Sequence, residues 1–166
     1  MSREIPDYTI HDLEEFMKHD FPSFTNDDAV DLGLTAVEVI SEWELNLAVD
    51  IVIGDDLVFR AKLGQTGLGN DPWLAGKAAV ARHFGEPSLL VRLRHEAAGE
   101  VFTDRDDIDH ETHKAHGGSI PIFVAGELVA TITMSGEPDR IDHEAAAEAI
   151  RSEERRVGKE CHVVCR

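Results

Sequence analysis

Three histidines recur at every third position: His110, His113 and His116. A neutral imidazole presents a nitrogen lone pair that binds iron, zinc or nickel, so neighbours in this triplet are candidates to chelate a divalent metal or to ligate a cofactor's iron. The alternative is three solvated or capping histidines in an acidic loop. His116 is followed by Gly117 and Gly118. Paired glycines let the backbone turn sharply and approach another element, which would fix the imidazole against it. Lys77 follows Trp73 by four residues, hence on the same side of a helix, where its ammonium could pair a ligand carboxylate or its stem could cover core while the charge reaches water. Trp73 and Phe84 at helical spacing read as core more readily than as a cofactor platform. Asp142 and His143 are adjacent, so they do not face each other on a helix, and the acid suits a helix first turn. The sequence has no cysteine nucleophile, serine elbow or His-Glu-x-x-His pattern, and hydrolytic mechanisms lack support.

These residues need elements to hold them. Asp12 to Phe16 reads as a short helical turn, ended near Phe21-Pro22. Asn26, with Asp27 and Asp28, caps a helix whose Leu32, Ala36, Val39, Ile40 and Trp43 share a buried face. Leu47 to Ile53 and Leu57 to Leu63 are β-prone runs around Gly54-Asp55-Asp56, the pattern of a hairpin. Gly64 to Asn70 is a connector whose glycines lack the spacing of a phosphate loop. Asp71-Pro72 opens a helix, with Asp71 as the capping acid, and Gly85 closes it after Phe84. Leu89 to Leu93 fits a strand or a tight helix, and Thr103 to Asp109 an acidic loop or helix start. A second hairpin joins Ile120 to Val124 with Leu128 to Met134 across Ala125-Gly126-Glu127, and Pro121 in it should sit near a strand start or edge. A last helix begins between Asp139 and Ile141. Hairpin-joined strands pair locally, so this order implies one α+β domain: an antiparallel sheet of about five strands with helices on one face.

The 166 residues suit a single domain, and 42% hydrophobic with 30% charged residues is a globular composition. A net charge of −17 repels nucleic-acid phosphates and anionic lipid, so neither nucleic acid nor a membrane surface is an expected partner. The start lacks a secretory pattern, and a cytoplasmic location is expected. From Arg151 the chain reads Arg-Ser-Glu-Glu-Arg-Arg-Val-Gly-Lys-Glu-Cys, which looks like the translation of a sequencing-adaptor oligonucleotide. Residues 151–166 are therefore set apart as a non-native tail; without its five basic and three acidic residues the charge becomes −19. Both cysteines, Cys161 and Cys165, lie in it, and with His162 they fall short of the four ligands of a zinc site. The expected organisation is an extension over 1–25, a domain over 26–150 and this tail.

Four ordered segments resemble an uncharacterised branch of the haem-degrading-domain (HbpS/GlcG-like) family. Trp73-Leu74-Ala75-Gly76-Lys77, followed by Phe84 and Ser88, is similar to its Trp-x-x-x-Lys segment, and His116 to Ile122 resembles its His-Gly-Gly-x-x-Pro-Ile segment. Ala48 to Ile51 is similar to its first strand, and Val129 to Gly136 with Asp142-His143 to its closing strand and helix start. Gly76, where this branch usually carries a basic residue, and Pro87-Ser88 depart from the pattern. The resemblance implies a profilin-like or PAS-like fold, homo-oligomerisation, and haem binding or degradation in some members. His116, Lys77, Trp73, Gly117 and Gly118 become the candidate cofactor-binding residues, and His110 and His113 the candidate metal ligands, with no catalytic residue assigned. Three functions compete: haem binding, a non-catalytic oligomeric module for a small ligand or protein, and divalent-metal binding.

Overall fold

A computed structural model describes residues 3–18 and 20–164. The side chains of Cys161, His162 and Cys165 lie outside the described residues. The elements are α1 (Ile10–Glu14), β1 (Asp20–Phe21), α2 (Asn26–Glu42), β2 (Ala48–Ile53), β3 (Asp56–Lys62), α3 (Asp71–Phe84), α4 (Ser88–Ala97), β4 (Ser119–Val124), β5 (Glu127–Ser135) and α5 (Asp139–Val164). They form one five-stranded sheet in the order β1-β4-β5-β2-β3 with helices flanking it, an α+β fold.

Both expected hairpins form. Gly54, at φ 62°, turns β2 into β3, and Ala125 and Gly126, at φ 51° and 78°, turn β4 into β5. Two consecutive positive-φ residues match the twist of the strands they join. The fifth strand comes from the segment read as an extension: Asp20 and Phe21 pair in parallel with Phe123 and Val124, so the sheet is mixed at that edge. Pro121 stands beyond this short pairing, where β4 needs no second neighbour. Leu13 and Phe16 are buried too, so this segment is built into the body.

The sheet is covered on both faces rather than one. Val49, Ile51, Ile120, Ile122, Ile132 and Met134 join Leu32, Ala36 and Ile40 of α2 and Ile141 to Ile150 of α5 in the main core. Alternate strand residues point the other way. There Asp50, Ser119, Thr131, Thr133 and Ser135 are buried, with α3 packed across β4 and β5. Much of this polar face is bonded: Thr133 Oγ1 donates to Ser119 Oγ at 2.9 Å, and Ser88 Oγ accepts from the Ser119 N–H at 3.0 Å, whereas Thr131 Oγ1 has no hydrogen-bond partner.

Two caps differ from expectation. Thr25, not Asn26, is the N-cap of α2, its hydroxyl accepting from the Asp28 N–H while Asp28 accepts from the Thr25 N–H. Asp71 makes no cap bond; it pairs with Lys62 at 2.7 Å and with Arg60 at 3.4 Å, fastening α3 to β3. The ambiguous run at Leu89 is helical, because Leu89, Leu90 and Leu93 close a small core with Leu13 of α1.

Candidate functional site

Helix α3 carries two of the candidates one turn apart. Trp73 is 41% exposed at its start, whereas Lys77 is 3% exposed. Gly76 lies between them: a Cβ there would stand 2.5 Å from Lys114 Cγ, and its carbonyl accepts the Lys114 N–H at 3.0 Å. The segment leading to β4 is thereby laid along α3, which brings His116 edge-on to Trp73 at 5.2 Å between ring centroids. A basic side chain at position 76 would displace it.

The glycines after His116 are required by contact. A Cβ on Gly117 would meet the Asp139 carbonyl at 2.4 Å, and one on Gly118, at φ 139°, the Met134 carbonyl at 2.3 Å. The Gly117 N–H donates to Asp139 Oδ2 at 2.9 Å, and Arg92 of α4 binds the same oxygen. Burial alone would raise the Asp139 pKa, but the Gly117 N–H and the Arg92 guanidinium together hold it below the usual range. Loss of hydration holds the His116 pKa below that of a free imidazole, the Asp139 carboxylate opposing.

Lys77 departs from both expectations, neither snorkelling nor reaching out to a ligand. Its ammonium donates to Asp142 Oδ2 at 2.7 Å and to the Met134 carbonyl at 3.0 Å. Asp142 is thus an ion-pair partner from the first turn of α5, and its other oxygen accepts the Glu137 N–H at 2.9 Å. Burial pushes the Asp142 pKa up to about 6 even with Lys77 beside it. His143 turns away into the body, fully buried between Tyr8 and Phe16, and neither ring nitrogen has a hydrogen-bond partner. Burial drives its pKa down to about 3, so it is a neutral packing residue.

Trp73 and His116 stand between two hollows. One, of about 310 Å³, is lined by Lys77, Asp142, Asn70, Ser135, Glu137 and Asp139 in addition to this pair. The other, of about 210 Å³, is lined by Phe102, Thr103, His110, His113, Lys114 and Ala115 with the same pair. The histidine triplet borders this second hollow but is not on a helix and does not converge. His110 Nε2 donates to the Arg105 carbonyl at 2.6 Å, and His113 Nδ1 lies 3.2 Å from the Asp109 carbonyl and 2.9 Å from Thr112 Oγ1. Among the described residues no group of three or more His, Cys, Asp or Glu side chains could hold a metal ion.

Sequence reasoning missed Arg92, Asp139, Asn70 and Ser135. Arg92 carried one usable sign, its i,i+4 spacing from Glu96, with which it pairs at 2.9 Å.

The family model for haem-degrading protein HbpS-like matches residues 24–151. The chain is 39% identical over 144 residues to the UPF0303 protein SCO2848 of Streptomyces coelicolor, covering 86% of this chain and 91% of that one. Among solved structures, that of the Ybr137w protein aligns with TM-score 0.78 at 25% identity, covering 88% of each chain. A PduOC:heme complex aligns with TM-score 0.60 at 20% identity over 80% of this chain and 94% of that one, a likeness of fold.

Proposed function

We propose, from the premise that this chain belongs to the haem-degrading protein HbpS-like family, that it binds haem at the surface beside Trp73, with His116 as the iron ligand. The observation that carries this reading is the placement of His116: the Gly117 N–H beside it is held by Asp139, and its ring is set edge-on against Trp73. The residues around it fit the group. Trp73, Phe102 and Ala115 offer apolar surface, and the Lys114 ammonium, 5.1 Å from the Trp73 ring centroid, suits a propionate. Haem when bound supplies an iron able to bind dioxygen; the chain's share is to hold and orient it.

Within the proposed site the roles divide. Gly117 and Gly118 act through the backbone, allowing the close approach that aims His116. Lys77 is committed to Asp142 and acts from behind the wall. Self-association belongs to the same reading, supported by the open edge of β3 and the exposed Val30, Leu34 and Leu57. Titration with haemin tests the proposal: a saturable Soret shift is expected, weakened in His116→Ala. No saturable shift, or the same shift in the variant, refutes it.

One observation favours a metal reading of the same hollow. His110 Nδ1 is a buried nitrogen without a hydrogen-bond partner, and His113 is its neighbour along the wall. Elemental analysis of natively purified protein that finds no divalent metal would end that alternative.

A further inference from the structure

The first hollow contains a feature that haem binding does not use. Lys77 and Asp142 form an ion pair whose side chains are 3% and 2% exposed, lying where the hollow meets the body. A buried ion pair does not generally stabilise a fold more than apolar residues of the same volume, because desolvation offsets the attraction. Such a pair beside a cleft is a candidate binding device.

The rest of the lining restricts the ligand. Asn70, Lys77 and Ser135 bring donors, while Glu137, Asp139 and Asp142 bring acceptors. The charges are largely answered already: Asp142 by Lys77, and Asp139 by Arg92. The Glu137 carboxylate accepts the Asn46 N–H at 2.8 Å. An anionic ligand would meet that charge and the protein's net −17. For a cation, Glu137 is the one lining carboxylate not paired with a base among the described residues, and a single partly exposed carboxylate makes a weak cation site. A hydroxyl, which donates to a carboxylate and accepts from an amide or ammonium at once, suits alternating partners of this kind. The 310 Å³ has room for roughly ten waters, the size of a molecule with three to six carbons.

We infer that this hollow is a second binding site, for a small neutral polyhydroxylated molecule held between the Lys77–Asp142 pair, Asn70 and Ser135. Trp73 at its mouth closes the apolar side and makes binding visible in fluorescence. The site shares Trp73 and His116 with the haem reading as a common wall but does not rest on it, and its test contains no haem.

Saturation-transfer NMR and tryptophan fluorescence, run with glycerol, ribose and glucose beside acetate and methylammonium, would test it. At least one of the three neutral probes should bind saturably, and Lys77→Met should weaken it by about tenfold or more, as loss of a charge-assisted hydrogen bond does. Asn70→Ala, at the rim, should weaken it also, and decides the matter if Lys77→Met fails to fold. Binding of the acetate or ammonium probe alone, no binding of any probe, or full binding by Asn70→Ala together with any folded Lys77→Met would overturn the assignment.

Discussion

Replacing Lys77 with methionine keeps the aliphatic stem and removes the charge that answers Asp142. The consequence depends on pH in a way the structure sets. In the wild-type protein burial raises the Asp142 pKa from 3.8 to about 6. Its folded pKa exceeds its unfolded one, so stability is gained as pH falls from 6 towards 3.8 and is lowest above 6. Without Lys77 the folded pKa rises further. Below about pH 6 both proteins follow the same slope, and the charge-dependent part of the difference between them is constant. Above it the wild type has finished titrating while the variant continues to lose stability, at about 1.4 kcal/mol for each pH unit. The penalty of Lys77→Met should therefore grow by some 2–3 kcal/mol between pH 6 and pH 8. This adds to a pH-independent loss from the bond to the Met134 carbonyl. Urea denaturation at several pH values, followed by the fluorescence of Trp43 and Trp73, measures it. The double variant Lys77→Met, Asp142→Asn should have no such pH dependence. An equal penalty at pH 6 and pH 8 would show that the carboxyl does not carry the cost assigned to it.

Two further outcomes follow from buried or peripheral groups. His143→Phe removes two buried nitrogens without partners while keeping a ring against Tyr8 and Phe16, and should be neutral or stabilising by about 1–3 kcal/mol in denaturant melts. Its folded pKa of about 3 lies below the unfolded 6.5, so the wild type loses stability from this group as pH falls between those values; the variant should be less acid-sensitive over that window, and an unchanged pH profile would contradict the assignment. We also propose that residues 151–166 are not native: their described contacts are mainly surface ion pairs such as Arg155–Glu148 and Arg156–Asp31, with the buried Glu153 accepting from Thr35. Ending the chain after Arg151 should cost about 1–2 kcal/mol and leave the circular-dichroism spectrum of the fold intact.

What could be read from the sequence was what neighbouring residues enforce on one another. Pro72 and Gly85 delimit α3, and Gly54 and Ala125-Gly126 mark both hairpins, because each of these acts through local dihedrals. The run from Leu89 defeated local reading, since its helical form depends on Leu13, some seventy-five residues earlier in the chain. The site divides the same way. Trp73, Lys77 and His116 were recognisable as residue types in motifs and do border one hollow. The pairing of Lys77 with Asp142 spans 65 residues and had no local signature. Nor did the second face of the sheet: Thr131, Thr133 and Ser135 look like solvent-facing positions until α3 covers them.

The edge strand formed by Asp20 and Phe21 also constrains how the chain assembles. Its strand partner, at Phe123 and Val124, is made about a hundred residues later. The amino-terminal arm therefore emerges from the ribosome long before its seat exists, and two hydrogen-bonded positions cannot nucleate a sheet against the entropy of so long a loop. Docking of this arm belongs to the end of folding, after β4 has paired with β5. Any bulky partner fused ahead of this arm would burden that final closure and spare the earlier steps.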